Sequence, residues 1–281
     1  QDDYAVMIPV HEQAYLFARY RQHIQTAVVL SAFSSFQKVQ GKIAFAQTLQ
    51  NLSLPQPDYQ IINNLSEIKG LTNFPFYLKT DYSTAGQGVW QVKNQTLRDS
   101  LFSQLAEQKG LDRQQFLIQQ QANGELCQVQ AIFNQGRLIA WHSTRTRGNS
   151  IGGGHAARMS VNHPVVGEHL KILGSHLGWN GPIALDYIYD SQINSPLYLE
   201  ANPRLVEPMN AFLSGVNFPE LAVKIALQND SVPQSALQGK FGVRSHSLMA
   251  ILLGQASQGY NRRALLKTVW EAVMKDRKSV V

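Results

Sequence analysis

Cysteine is nearly absent from this chain of 281 residues; Cys127 is the single one. That excludes a disulfide framework and a cysteine-built zinc site, and it suits a reducing compartment, so a cytoplasmic protein is expected. Cys127 sits within a stretch that reads as a strand, and it reads as a small buried hydrophobe rather than a nucleophile. Long apolar runs are missing too. The longest obvious one, Leu248 to Leu253, falls far short of the ~20 residues a bilayer span needs, and no membrane contact is expected. The opening Gln1-Asp2-Asp3-Tyr4 has neither an initiator Met nor a secretory pattern, which reads as a fragment or a processed form. Charge is sparse, at 16% of residues. Lys and Arg number 25 and Asp and Glu 19, a net +6, but the surplus is scattered and only Lys275 to Lys278 is dense. No nucleic-acid partner is expected on that pattern. There is also no internal repeat, no Walker loop and no Rossmann fingerprint.

What remains is a folded composition, 44% apolar, whose length suggests about two domains. Ala5 to Pro9 reads as a strand and His11 to His23 as a helix, together resembling the end of an α/β domain. Apolar spacing predicts helices over Gly41 to Leu52, Leu97 to Gln108, Pro164 to Leu177, Pro219 to about Leu227 and Arg262 to Met274. Strands are predicted over Phe74 to Lys79, Val89 to Val92, Phe116 to Gln119, Leu126 to Phe133, Leu138 to His142, Ile183 to Tyr189 and Leu197 to Glu200. The order is α+β, with strands mostly in hairpins.

The most informative segment runs from Gly181 to Arg204. A five-residue turn over Ser191 to Ser195 would set Asp186 directly opposite Glu200. Facing carboxylates repel, and a divalent cation between them removes that cost. Asn202 lies two residues past Glu200 and shares its face. Two carboxylates and an amide are hard oxygen ligands, suited to Mg2+ or Mn2+ completed by phosphate oxygens and water. Arg204, two residues further, could meet a phosphoryl group. The same residues also read as a solvent-exposed acidic hairpin.

Lys79 ends an apolar strand, and the small-residue loop Ser83 to Gly88 follows. Gly86 and Gly88 let the backbone approach a ligand, and successive amides can cradle phosphate. Taken alone, that loop reads equally as a hairpin tip, and Lys42, near a helix start, as a solvated residue. Arg145, Arg147 and Arg158 flank a second glycine-rich stretch, Gly148 to Gly154, and together read as an anion-binding group on a mobile loop or as a basic surface loop.

The combination resembles the ATP-grasp superfamily over about Lys38 to Leu227. It consists of a helix lysine, a strand-end lysine, a glycine-rich flap, a hinge strand, an acid, and then Glu200-Ala201-Asn202-Pro203-Arg204, its most specific part. The resemblance implies two α+β lobes clasping ATP. Lys42 and Lys79 would hold phosphates, Lys79 also lying near the adenine; Ser83, Gly86 and Gly88 would form the flap; and the hinge strand Phe116 to Gln120, with Gln119 and Gln120 at its end, would meet the adenine edge through its backbone. Glu125 would hold the ribose, and Asp186, Glu200 and Asn202 would bind Mg2+ or Mn2+. Arg204 would act on the phosphoryl group, with Arg145 and Arg158 on an acceptor. The implied domains are 1–37, the end of a preceding α/β domain; 38–115, the first lobe with the flap; 116–230, the second lobe with the metal site; and 231–281, a mainly helical extension. The family's hinge acid stands here as Gln119 or Gln120, a departure at the adenine contacts.

The implied reaction phosphorylates a carboxylate or enol acceptor and joins it to an amine, releasing ADP and phosphate. A kinase on the same fold, or an ATP-binding protein without ligase activity, are the alternatives. Within the superfamily the chain looks most like carbamoyl-phosphate-synthase-like ligases, among them the mycosporine-glycine synthases, which join glycine to a cyclohexenone such as 4-deoxygadusol. Partners are then a small-molecule acceptor and an amine, with a homodimer left open.

Overall fold

The computed structural model describes residues 4–83, 86–108, 110–111, 114–149 and 155–275. Positions 84–85 of the first glycine loop, 150–154 of the second and 276–278 of the basic cluster lie outside them. The chain opens with β1 (Val6–Met7), α1 (Gln13–Arg19) and β2 (Ala27–Val28), whose strands pair in parallel. The helix expected to His23 ends at Arg19, and residues 21–23 tighten into a 3-10 turn. Then come α2 (Phe33–Gln40) and α3 (Lys42–Asn51), separated by Gly41 alone. The expected domain boundary at 37/38 falls inside α2.

Four antiparallel strands form the first sheet, β3 (Tyr59–Ile62), β4 (Phe76–Thr80), β5 (Val89–Val92) and β6 (Phe116–Gln120), in the order β3-β6-β4-β5. Between β5 and β6 runs α4 (Gln95–Ala106), started by Asn94, whose side chain accepts from the Leu97 amide. Strand alternation divides the residues of this sheet. Phe76, Leu78, Phe116 and Ile118 enter a core with Leu101 and Leu105 of α4. Tyr77, Lys79, Leu117 and Gln119 take the other face.

The second sheet contains β7 (Glu125–Asn134), β8 (Arg137–Asn149), β9 (His155–Val161), β10 (Gly181–Asp190) and β11 (Ser195–Asn202). Helix α5 (Pro164–Leu177) lies between β9 and β10. It begins on Pro164 and stops at Gly178, which takes φ 55°. Its Val166, Leu170, Leu173 and Leu177 pack on Val129, Ala131, Phe133, Leu185 and Tyr187. Cys127 is buried in this cluster, and burial pushes its thiol up to about 12. Two short helices, α6 (Met209–Leu213) and α7 (Phe218–Ala226), cover Ile132 and Ala140 on the opposite face, farther from the first sheet. Residues 231–275 add β12 (Leu237–Gln238) and β13 (Arg244–His246) to the second sheet, then α8 (Leu248–Ser257) and α9 (Arg262–Lys275). Among the described residues, no helix is long and apolar enough to cross a membrane.

Two expectations change. Arg158, placed beside a mobile loop by the sequence, lies within β9, and its guanidinium is buried. Extended pairing with β8 and β13 holds it there. The hairpin turn spans four residues, 191–194, rather than five. A bulge at Leu199 restores the count, so Asp186 does pair with Glu200, while below the bulge Tyr187 pairs with Tyr198.

The two sheets are joined through residues 121–124. Gly124 has φ 136°, and a Cβ there would stand 2.3 Å from the Tyr189 carbonyl oxygen. Gly124→Ala is expected to destabilise the fold by about 2–4 kcal/mol, since neither strain nor clash can relax against backbone. Gly86→Ala, at φ 74° with nothing within 4 Å, should lose only about 1 kcal/mol. Thermal unfolding of the two variants checks the contrast, at roughly 2–4 °C per kcal/mol.

Candidate active site

A cleft of about 990 Å³ opens between the two sheets. Its floor is the polar face of the second sheet, where Glu200, Asp186 and Gln128 stand side by side on β11, β10 and β7. Gln128 Nε2 donates to Asp186 Oδ1 at 2.7 Å, and Asn202 Nδ2 donates to Asp186 Oδ2 at 3.3 Å. Burial, then the Glu200 charge, raises Asp186 to about 7 against the lowering pull of Gln128 and Arg158.

The roof is the first sheet. Lys79, on β4, is buried, and its Nζ donates to Gln119 Oε1 of β6 at 2.6 Å. Burial draws the Lys79 ammonium down to about 8; Lys42 adds to that, while Glu200 and Asp186 oppose it. Lys42 begins α3, also buried, with Nζ donating to Ser83 Oγ at 2.9 Å and ion-paired to Glu200 at 3.5 Å. The helix carries no capping side chain of its own. Asp81, at the root of the flap, accepts instead from the Ile43 amide at 2.8 Å. One contact thus positions both Lys42 and the flap.

At the acid end, Arg204 forms an ion pair with Glu12 at 3.0 Å, and both line the cleft. Arg158 Nη1 donates to Gln128 Oε1 at 2.6 Å, and its Nε lies 3.9 Å from Glu207 Oε2. Gln128 therefore bridges Asp186 and Arg158. Next to this set, His142 is buried against Asn210 at 2.7 Å, and burial pulls it down to about 4.

The cleft brings together Lys42, Lys79, Ser83, Gly86, Gln119, Gln120, Arg158, Asp186, Glu200, Asn202 and Arg204. Gly88, Glu125 and Arg145 are not among its described lining residues. Gly88 holds the flap turn, with its α-carbon against Thr80: a Cβ there would stand 2.3 Å from Thr80 Oγ1. Arg145 Nη1 donates to both carboxylate oxygens of Glu125, at 2.7 and 2.9 Å. Sequence reasoning missed Gln128 and Glu12. Gln128 meets Asp186 only because β7 pairs with β10, and Glu12 meets Arg204 across most of the chain; neither carries a local signal.

No protein-family model and no curated protein matches the sequence. Solved structures do match in three dimensions. The biotin carboxylase domain of Hydrogenobacter thermophilus 2-oxoglutarate carboxylase, solved with MgADP, ADP and bicarbonate, superposes with TM-score 0.69 at 14% identity. That match covers 85% of this chain and 57% of the other. Campylobacter jejuni biotin carboxylase gives TM-score 0.67 at 17% identity, covering 82% and 56%. The L-amino acid ligase of Bacillus licheniformis gives 0.55 at 16% identity, covering 70% and 50%. All three are ATP-grasp enzymes.

The chain has the ATP-grasp fold.

It spans between half and three-fifths of the length of these structures. Within this fold the cleft lies between the flap-bearing sheet and the sheet that carries the carboxylate pair.

Proposed function

We propose that the chain binds MgATP in this cleft and serves an ATP-dependent ligase that phosphorylates a carboxylate or enol acceptor and joins it to an amine. The observation that carries this reading is the facing of two buried lysines and a carboxylate pair across one cleft. The ADP-bearing and ligase neighbours support it.

The donor set fits Mg2+ or Mn2+. Among the described residues no three of His, Cys, Asp or Glu cluster as a metal site. Asp186, Glu200 and Asn202 would therefore hold a cation whose shell is completed by phosphate oxygens and water. When bound, it would neutralise charge on those oxygens. Lys42 would exchange Glu200 for phosphate, and Lys79 would add a second positive charge. Ser83, Gly86 and Gly88 would lay the flap over the nucleotide and exclude water. Arg158 and Arg204 would hold the anionic acceptor, Arg204 after leaving Glu12. Glu125 on the ribose and Arg145 on the acceptor require their mutual ion pair to open. The γ-phosphoryl passes to an acceptor oxygen as ADP departs; the amine nitrogen then attacks the activated carbon and phosphate leaves. Positioning and charge neutralisation supply the rate, and no covalent enzyme nucleophile is needed.

The test is ADP release from MgATP against a matrix of acceptors and amines, 4-deoxygadusol with glycine among them. ADP that appears only when one acceptor and one amine are both present supports the ligase and names its substrates. ADP with an acceptor alone favours a kinase, and absence of MgADP binding by calorimetry overturns the reading.

A further inference from the structure

Basic residues are spaced out along the chain, yet the surplus itself is unevenly placed. Residues 231–281 hold eight Lys and Arg against two acids, Glu271 and Asp276, whereas residues 1–230 hold seventeen of each. The whole net charge of +6 therefore belongs to the segment that carries β12, β13, α8 and α9.

The same segment leaves apolar surface uncovered. Leu248 to Leu253 of α8 are six apolar residues in a row, a pattern that a helix normally keeps inside a core, yet none of the six is fully buried. Met249 and Leu253, one turn apart, are 67% and 50% exposed. Helix α8 packs on β8 and β9, and α9 packs on α8. Asn261 starts α9 by accepting from the Ala264 amide at 3.0 Å, and Thr268 Oγ1 donates to Gln255 Oε1 of α8 at 2.9 Å. With Thr268 turned to α8, the outward stripe of α9 is Arg263, Leu266, Lys267 and Trp270, which recur at helical spacing. All four are exposed, Leu266 at 67% and Trp270 at 56%.

Leucine and tryptophan beside arginine and lysine on one exposed helix face match one kind of partner, an apolar layer beneath a negatively charged surface. Tryptophan suits such a boundary, and Arg and Lys keep their heads with lipid phosphates while their stems lie along apolar surface. A second copy would set two basic faces against each other. A nucleic acid would answer the charges, but its phosphate backbone would leave Met249, Leu253 and Leu266 in water. The lack of a spanning run does not bear on this mode, because a helix lying in the interface needs none.

We propose that α8 and α9 dock this chain on the headgroup region of an anionic lipid bilayer, without crossing it. The proposal is independent of the nucleotide reading of the cleft.

The experiment is flotation of the purified chain with unilamellar vesicles of phosphatidylcholine, either alone or with about 30 mol% phosphatidylglycerol. Binding is expected with the anionic vesicles only, and should weaken by about tenfold or more at high salt. Leu266→Ser/Trp270→Ser and, separately, Arg263→Gln/Lys267→Gln should each weaken it by about tenfold or more. Both pairs are exposed, so the melting temperature should not move. Tryptophan emission should shift to shorter wavelength on the anionic vesicles, and Trp270→Phe should lose that shift. No preference for the anionic vesicles overturns the proposal, as does equal binding by Leu266→Ser/Trp270→Ser. Capture of duplex DNA in place of vesicles overturns it in favour of a nucleic-acid partner. A dimer that ignores vesicles and is dissociated by Leu266→Ser/Trp270→Ser overturns it in favour of a second copy. The wild-type comparison of the two vesicle types decides the matter even if a variant does not fold.

Discussion

Asp186→Asn is expected to lower ADP formation by about 100-fold or more and, in the same protein, to raise the melting temperature when no divalent cation is present. Both effects follow from one geometry. Asp186 and Glu200 face each other on adjacent strands, with Gln128 and Asn202 hydrogen-bonded to Asp186 and Lys42 ion-paired to Glu200. The arrangement strains the apo protein and suits a cation. Neutralising one member keeps the Gln128 hydrogen bond, and the Asn202 amide can turn over to accept from the new nitrogen. Removing one of two facing like charges relieves both its desolvation and the repulsion, so the direction is stabilising. At roughly 2–4 °C per kcal/mol, differential scanning calorimetry resolves the rise.

The pH dependence has a definite sign. The folded carboxyl is raised to about 7 from an ordinary value near 4, so the fold holds more protons than the unfolded chain between those values. Its favourable contribution is full below about 4 and is lost as pH rises through about 7. Wild-type stability should therefore gain from Mg2+ most clearly above pH 7, and the variant should show neither that pH slope nor the gain. A variant that melts lower than the wild type without cation would contradict the account.

Lys79→Met should weaken MgADP binding by about 30-fold or more, the loss expected when one partner of a buried charge-assisted contact is truncated. The wild type should show its own pH signature. Lys79 is drawn down to about 8, so above that pH a growing share of the free protein has lost the proton that phosphate binding favours. Affinity should fall as pH rises past 8, approaching tenfold per pH unit. Near pH 8 binding should take up a fraction of a proton, visible as a heat that depends on the ionisation enthalpy of the buffer. In Lys79→Met that fraction should vanish. Uptake that persists in the variant would assign the proton elsewhere.

Local chemistry made several elements legible. Pro164, an apolar stripe and Gly178 delimit α5 to the residue, because cap geometry and helix period are short-range properties. Val89–Val92 was likewise legible, bounded by the glycine loop and by Asn94. Helix α2 was not, since it lacks a capping side chain and only Gly41 separates it from α3. Strand β9 was missed for another reason. Its sequence, next to glycines and with Ala156, Ala157 and Arg158 at its centre, has no strand preference, and pairing with β8 and β13 imposes the extended form.

The hairpin shows where local reasoning ends. Asp186 opposite Glu200 was legible, although the turn is one residue shorter than expected and a bulge makes up the difference. The sequence by itself determined the α+β class, the strand-end lysine, the glycine flap and the acidic hairpin, because each depends on neighbours within a few residues. Tertiary structure alone decided that Gln128 supports Asp186, that Glu12 holds Arg204, that Arg145 is bound to Glu125, and that Lys79 turns the Gln119 amide. Those contacts join strands and segments far apart in the chain. Sheet order and burial set their partners and hydrogen-bond polarity, and neither is written in local spacing.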